Sequence, residues 1–302
     1  MAQMNTEQIP VHPYVPQTEY SQTQAMRRAG RALVAASILA VSACTGSASG
    51  ERIEVSGCVT VDSSAEEVPY STILIGSANA HNLALEGLIA DTTVVTGNVT
   101  DVEYHVEAPR SLNSNFRATQ ASADTLSLGF TCPNTSVTIP RKPSITVTIP
   151  KRANVDIQST TIGNTTVGDI TGKAHINLTG TGFVKFGNVG EAHIGNSGTG
   201  DASFKQVNGS FFATSEGVGN INAASVRGKQ LFMKASGTGD IHIDGGIVNT
   251  ITAETSATGD IFFGGTAEQG TLISTGTGDL TVSHVKTILR KSEEGTGDIS
   301  VN

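Results

Sequence analysis

The stretch SGTGDIHI, residues 236–243, decides the fold of this chain, because its corner SGTGD recurs in related form at a nearly constant spacing. The position after the second glycine is occupied in turn by Phe183, Asp201, Asn220, Asp240, Asp260, Asp279 and Asp298. VGDI at Asp169 comes before Phe183 at a shorter interval and begins the series. A repeat of about 19 residues, sustained along the chain, predicts a solenoid with one supersecondary unit per turn.

Strands follow each corner. The residue after the aspartate and the second residue beyond it are apolar, as in Ile241 with Ile243 and Leu280 with Val282. This period of two predicts a strand whose apolar residues face inward. A second short segment follows in each repeat, as in QLFMKAS and NTITAETS. We therefore predict an all-β protein, a parallel β-helix-like solenoid with turns of about 19–20 residues and at least two strands per turn. A β-sandwich is the structural alternative, but it does not require the same corner at a constant interval.

The region before the regular repeats is β-rich but irregular. We interpret residues 51–150 as irregular first turns with a single-stranded N-terminal β cap, and residues 151–302 as the regular solenoid. Residues 51–302 then form one domain.

The first fifty residues differ from the rest. Residues 1–25 are polar, contain three prolines and lack periodicity, so we expect a disordered leader. In residues 26–50, three arginines precede an uncharged run from Ala32 to Ala43, which is too short to span a bilayer and fits an export signal. Val41-Ser42-Ala43-Cys44 looks like the lipobox of bacterial lipoproteins, which predicts a lipid on Cys44 and a flexible tether after it. An uncleaved signal anchor is the alternative, and twin-arginine export is a further one. The leader also leaves open whether Met1 or Met26 is the start.

The number of cysteines, three, is consistent with an exported protein. If Cys44 carries lipid, Cys58 and Cys132 remain as a candidate disulfide in a compartment where disulfides persist.

Composition restricts the function classes. The formal net charge of −8 argues against a nucleic-acid binder. Aromatic residues are scarce, with 10 Phe, 4 Tyr and no Trp, so a broad stacking platform is not expected.

Stacked corners bring carboxylates together. If the turns stack in register, Asp240, Asp260, Asp279 and Asp298 form a column with neighbours about 4.8 Å apart. One hypothesis is that the column binds a cation such as calcium. The alternative, which we favour, is that each aspartate accepts hydrogen bonds from turn N–H groups while the glycines supply positive φ angles. We expect no cofactor, with calcium as the one candidate.

No catalytic motif is apparent. The chain lacks GxSxG, GxGxxG and GxxxxGK[ST]. The carboxylate cluster of GTGDIHIDGG, with Asp240, Asp244 and His242 near Asp260, is the one candidate for acid/base cleavage of a polysaccharide. Scattered acids on an exposed turn are the simpler interpretation, so we do not expect an enzyme.

The stretch from Ile145 to Gly172, ITVTIPKRANVDIQSTTIGNTTVGDITG, and the GTGDI corners after it resemble bacterial "putative adhesin" families of unknown function, namely the DUF4097 group and the auto-transporter adhesin head group (GIN, DUF2807). The match covers residues 145–302 well and residues 51–144 loosely. It implies a parallel β-helix-like domain, exported or tethered to a membrane, with an adhesive role and no assigned active site.

The sequence thus leads us to expect an exported bacterial surface protein, anchored in the cell envelope by lipid or signal anchor, that acts as a non-enzymatic interaction module. Its expected partner is a surface glycan or an envelope or extracellular protein. A polysaccharide-degrading solenoid and an envelope scaffold or stress protein that docks one partner are the alternatives.

Overall fold

Short strands with alternating buried and exposed residues run through the whole described chain. The computed structural model describes residues 52–55, 59–62, 65, 66, 68–87, 89–131, 133, 135–159 and 162–302. The N-terminal strands are β1 (Arg52–Val55), β2 (Val59–Asp62), β3 (Tyr70–Ala78), β4 (Asn82–Glu86), β5 (Asp91–Gly97), β6 (Val102–Pro109), β7 (Phe116–Ser122), β8 (Thr125–Phe130), β9 (Val137–Ile139) and β10 (Ser144–Pro150), with a 3₁₀ helix at Arg110–Asn115.

The regular strands follow. They are β11 (Val155–Ser159), β12 (Thr165–Val167), β13 (Lys173–Leu178), β14 (Val184–Val189), β15 (Glu191–Asn196), β16 (Ala202–Val207), β17 (Phe211–Ser215), β18 (Ile221–Ala223), β19 (Val226–Ala235), β20 (Ile241–Ile243), β21 (Gly246–Thr255), β22 (Ile261–Ser274), β23 (Leu280–Glu293) and β24 (Ile299–Val301).

These strands form two main parallel stacks, as a β-solenoid requires, and a shorter third one that joins the ends of β14 and β16 to the N-terminal ends of β19 and β21 and to the middle of β22 and β23. Stack A contains, in spatial order, β8, β4, β11, β13, β15, β17 and the C-terminal halves of β19, β21, β22 and β23. Stack B contains β10, β5, β12, β14, β16, β18, β20, the N-terminal parts of β22 and β23, and β24. Each GTGD-type corner leads the chain from stack A to stack B. The predicted solenoid with at least two strands per turn is confirmed.

The core lies between the stacks. The predicted inward pairs are buried: Ile241, Ile243, Leu280 and Val282 each have 0 % exposure, and Phe263 fills the same space. Such short strands cannot bury their apolar faces alone, so burial of this continuous core is what holds the turns together.

The corner glycines serve a different purpose from the one predicted. Among the described glycines only Gly87 and Gly246 have positive φ angles, and neither belongs to a GTGD corner. A Cβ on Gly239 would stand 2.2 Å from the carbonyl oxygen of Gly219 in the preceding turn, and one on Gly278 would stand 2.2 Å from that of Gly259. The expectation of positive φ is therefore wrong. Close stacking of one turn on the next excludes side chains at these positions.

The N-terminal cap has more than one strand. β3 and β6 pair antiparallel and continue stack B through β10, while β7 and β8 form an antiparallel hairpin that continues stack A. β1, β2 and β9 form a separate three-stranded sheet. A turn with two strands leaves two edges, and one strand cannot pair with both, so the single-stranded cap is wrong.

The first regular turn is out of chain order. β4 lies between β8 and β11 in stack A, and β5 lies between β10 and β12 in stack B. Residues 82–97 thus form a turn that is enclosed by two turns from later parts of the chain. Ser49–Asn302 is one compact unit.

Candidate binding site

The predicted aspartate column is present at the corner between the stacks. Each side-chain Oδ1 accepts the backbone N–H of the equivalent residue in the next turn. This ladder runs from Asp201 through Asn220, Asp240, Asp260 and Asp279 to Asp298, with oxygen–nitrogen distances of 2.7–2.9 Å. The acceptor role for aspartate was expected, but the donor belongs to the neighbouring turn instead of its own.

The same ladder continues upstream. Oδ1 of Asp91 accepts the N–H of Asn164 (3.0 Å), and Oδ1 of Asn164 accepts the N–H of Phe183 (3.2 Å). Asn164 precedes Phe183 by one regular interval, so the period extends one turn further than the sequence indicated. Phe183 has no side-chain oxygen and interrupts the ladder.

Asp169 does not belong to this column. It forms a second ladder with Asn188, whose backbone N–H donates to Oδ1 (2.7 Å) and whose side-chain amide donates to Oδ2 (2.9 Å). The backbone hydrogen bond from Asn188 is the main reason why the pKa of the Asp169 carboxyl lies below its ordinary value. The placement of Asp169 at the start of the corner series is therefore wrong. VGDI is similar to the corner in sequence but occupies a different position in the turn.

A buried ladder of polar side chains was not predicted from the sequence. Its residues come shortly before the corner position in the sequence of each turn. It consists of Asn196, Ser215, Thr255 and Ser274, each at most 1 % exposed. In the turn with Thr255, the hydroxyl donates to the carbonyl of Gly259 (2.9 Å), and the Asn196 amide donates to that of Gly200 (2.8 Å). The recurrent small polar residue at this offset is the sequence signal that could have identified it.

The candidate catalytic cluster is partly assembled. Asp240, His242 and Asp260 line a groove of 410 Å³ on the outer face of stack B, together with Asp279. Asp244 does not line this groove. Oδ1 of Asp244 lies 3.0 Å from Nε2 of His242. The His242 ring stacks on the Phe262 ring, with the two centroids 4.5 Å apart.

A cleft lies on the outer face of stack A. It has a volume of 480 Å³ and is lined by residues from β4, β8, β11 and β13 and by the tip of the β7–β8 hairpin. Its polar side chains are Asn82, Glu86, Ser122, Thr125, Asn154, Asp156, Gln158, Lys173 and His175. Ala84 contributes a small side chain between them. The cleft therefore combines a shallow apolar floor with many hydrogen-bonding groups.

One row of outward side chains connects this cleft to the rest of stack A. Register places Ala84, Asp156, His175, His193, Phe212, Phe232, Thr252 and Thr271 side by side on successive turns. The rings of His193 and Phe212 stack on each other with centroids 4.3 Å apart and an interplanar angle of 20°. Stacked rings cover each other's faces, so this pair presents ring edges to solvent.

The charged groups of this face are paired. Nδ1 of His175 lies 3.3 Å from Oδ2 of Asp156, and Oε1 of Glu191 accepts from both Lys173 (3.1 Å) and His193 (3.0 Å). Burial raises the pKa of the Glu191 carboxyl, but the hydrogen bonds from His193 and Lys173 outweigh it and keep the pKa below its usual range.

This face was not predicted from the sequence. The repeated tripeptide Ala-His-Ile, at 174–176 and 192–194, was an available signal, because alternate burial turns both histidines outward. The cleft had no signal, since its two walls come from segments far apart in sequence.

Other predicted residues fall elsewhere. Cys44, Cys58 and Cys132 lie outside the described residues, as do the leader and signal of residues 1–50. Within the described ranges, no three His, Cys, Asp or Glu side chains are grouped as metal ligands. None of the helices in the described part has the length and hydropathy for a membrane crossing.

The fold and this face define a class, that of parallel β-solenoids with a polar, cleft-bearing flank. No protein-family model matches the sequence, and no curated protein matches it. Solved structures do. A "putative adhesin" from Bacteroides fragilis has a TM-score of 0.57 and 18 % identity, covering 78 % of this chain and 97 % of that one. A "putative adhesin" from Parabacteroides merdae has a TM-score of 0.58 and 15 % identity, covering 76 % and 96 %.

A third similar structure has a different name. A "putative lipid binding protein" from Parabacteroides distasonis has a TM-score of 0.52 and 16 % identity, covering 77 % of this chain and 96 % of that one. At these identities the likeness shows a shared fold. The resemblance to adhesin-type families is confirmed to the extent that solved neighbours carry that name.

Proposed function

We propose that the protein is a non-enzymatic binding module of the bacterial cell envelope that contacts a surface glycan or an envelope or extracellular protein through a flank of its solenoid. The cleft and the outward row of stack A are the observation that carries this proposal. They present paired, fixed hydrogen-bonding groups on a rigid ladder, and repeated weak contacts along such a ladder give avidity. The names of the solved neighbours support the same role.

Retention of partners tests the binding role. Beads that carry the full-length protein are incubated with surface glycans and with solubilised envelope and extracellular proteins, and the retained material is identified. We expect specific retention at micromolar protein. Empty beads are the control, and no enrichment over them with any of these mixtures would count against a binding module.

The N-terminal segment supports an exported and anchored location. We propose that Cys44 carries a lipid that holds the module at a membrane, after cleavage of the preceding signal. Incorporation of radiolabelled fatty acid in wild-type cells and its loss in Cys44→Ala tests this directly. Unchanged localisation of Cys44→Ala and absence of label would contradict lipid anchoring and leave the signal anchor.

The groove of stack B keeps the polysaccharide-degrading alternative open to test, because it brings Asp240, His242 and Asp260 together. An enzyme of this kind would release reducing ends or unsaturated products from a pectate or alginate panel, and Asp240→Asn would abolish the release. We expect no products. A scaffold protein would instead co-purify with one protein partner in stoichiometric amount and retain no glycan.

The cation hypothesis applies to Asp240, Asp260, Asp279 and Asp298. We propose that this column binds no calcium, because one oxygen of each of the first three is already occupied by a backbone N–H. Calcium bound only to the native state would raise the thermal midpoint in a concentration-dependent manner. Thermal unfolding of metal-free protein with and without calcium should therefore give the same midpoint, and a shift that Asp260→Asn removes would establish the site.

A further inference from the structure

We propose that the stack A cleft is a binding site for a neutral glycan, with the sugar chain continuing along the outward row toward His193. This inference rests on the proposed binding role and specifies its site and ligand class. It depends on three features: the shape of the cleft, the pairing of its charges and the open space beside it.

The cleft is concave because two different parts of the fold meet there. The floor is the outer surface of β4 and β11, where Ala84 leaves space between larger neighbours. The tip of the β7–β8 hairpin contributes Ala121, Ser122 and Thr125 as a wall. A rigid concave surface with convergent polar groups is the usual form of a small-ligand site.

The charged groups of the cleft are all engaged in hydrogen bonds within the protein. Asp156 accepts from Gln158 (2.8 Å) and pairs with His175, and Lys173 pairs with Glu191. Glu86, which also lines the cleft, accepts from Ser127 (2.9 Å). The cleft therefore presents oriented donors and acceptors, and its one lysine is already paired with Glu191. Sugar hydroxyls, which donate and accept at once, match this arrangement, whereas a uronate would find acidic groups without a free cation.

The amide groups are held in place by their own network. The Asn82 side-chain oxygen accepts from both the backbone N–H (2.9 Å) and the side-chain amide (3.0 Å) of Asn154, and the Asn154 oxygen accepts the N–H of Lys173 (2.8 Å). Fixed groups lose little conformational entropy on binding, so each contact contributes more to affinity.

Open space continues from the cleft along the solenoid axis. Gly195 faces outward in β15, and a Cβ built on it would meet no atom within 4 Å. Glycine in a strand is unfavourable relative to alanine, and no internal contact requires it here. A ligand that approaches the backbone beside His193 explains the absence of a side chain.

A steric variant tests the site. The full-length protein, Ala84→Trp and Thr271→Trp are applied to an array of neutral hexose and N-acetylhexosamine oligosaccharides printed beside uronate and sialylated ones. Ala84 and Thr271 lie in the same outward row, one in the cleft and one at the far end, so Thr271→Trp is the matched control. We expect retention of neutral oligosaccharides by the wild type and by Thr271→Trp, and at least a tenfold loss for Ala84→Trp.

A milder variant guards against misfolding. Gln158→Ala removes one hydrogen-bonding group without adding bulk, and titration calorimetry with the best-retained oligosaccharide should show about tenfold weaker binding, with an unchanged thermal midpoint. Equal binding by all variants, or retention of acidic glycans alone, would overturn the cleft as a neutral-glycan site. Retention of a protein partner but of no oligosaccharide by the wild type would overturn it as well, while leaving the binding module intact. If the beads of the first experiment retained no partner at all, the proposed function itself would be contradicted.

Discussion

At the scale of single residues, the corner aspartates act as acceptors for the next turn. Asn220 occupies the same position and makes the same contact, since its Oδ1 accepts the N–H of Asp240 at 2.9 Å. The contact therefore needs an oxygen and not a charge. Water at the exposed corner weakens the repulsion between neighbouring carboxylates, so aspartate is tolerated there.

Asp260 provides a direct test of this role. Asp260→Ala leaves the N–H of Asp279 without its protein acceptor and should lower the free energy of unfolding by about 1 kcal/mol, a modest loss because water can reach the corner. Asp260→Asn keeps the oxygen and reduces repulsion, so its stability should equal or exceed that of the wild type. Urea denaturation of the three proteins measures the difference. Equal losses in both variants would show that the charge itself is required.

The ionisation of Asp169 in the second ladder should make the stability of the protein depend on pH. Its pKa is lowered mainly by the Asn188 backbone N–H, so its ionised form is the one that the fold favours. A group with a depressed folded pKa stabilises the protein above its unfolded pKa of about 4, and this contribution disappears as the pH falls through the folded value. Asp169→Asn should therefore be less stable than the wild type at pH 6, and the gap should close near pH 2. Urea midpoints at both pH values test this, and a gap that persists in acid would contradict it.

At the scale of the element, each corner combines two ladders of side chains with a set of glycines. The aspartate ladder fixes the start of stack B, the buried ladder of Ser215, Thr255 and Ser274 closes the corner from inside, and the glycines allow the turns to approach. The alternation of apolar and polar residues was enough to predict which strand residues face the core. The small residues of the corner are explained only by the neighbouring turn.

Gly278 shows how tight this approach is. Gly278→Ala would place a Cβ 2.2 Å from the carbonyl oxygen of Gly259, so the turns must separate locally. We expect a loss of about 1–3 kcal/mol in unfolding free energy, as for other overpacked sites. Gly195→Ala is the matched control, because its Cβ meets nothing within 4 Å, and it should be neutral or slightly stabilising. Guanidinium unfolding compares the two, and similar effects would refute stacking as the reason for the corner glycines.

At the scale of the whole molecule, the turn of residues 82–97 packs between turns that come from later parts of the chain. Most regular turns contact the turn that directly precedes them in sequence, but Asn82 bonds to Asn154 and Asp91 to Asn164, which are 72 and 73 residues apart. Closing the longer loops costs about 1 kcal/mol more in chain entropy. The N-terminal turns are thus the non-local part of the fold.

Folding order should reflect this difference. We expect the backbone amides of residues 173–282 to become protected before those of residues 82–97, because local pairing can proceed without the long closure. Pulsed hydrogen exchange during refolding, read by mass spectrometry of peptides from both regions, measures the order. Protection of residues 82–97 first, or of both regions together, would contradict it.

The sequence by itself determined the repeat, the solenoid class and the inward residues of the regular turns. The constant spacing of the corners and the alternation of apolar and polar residues are local properties, and each turn repeats them. They can therefore be read from the chain without knowing which segments become neighbours. The aspartate column followed from the same regularity.

Only the tertiary structure decided the rest. The place of β4 and β5 among later turns, the multi-stranded cap, the true phase of Asp169 and the stack A cleft all depend on pairings between segments distant in sequence. Such pairings are selected by the burial of edges and apolar faces during assembly, and no local pattern encodes which distant segment a strand will meet. The corner residues therefore followed from the repeat, whereas the cleft appeared only when β4 and β11, far apart in the chain, were placed side by side.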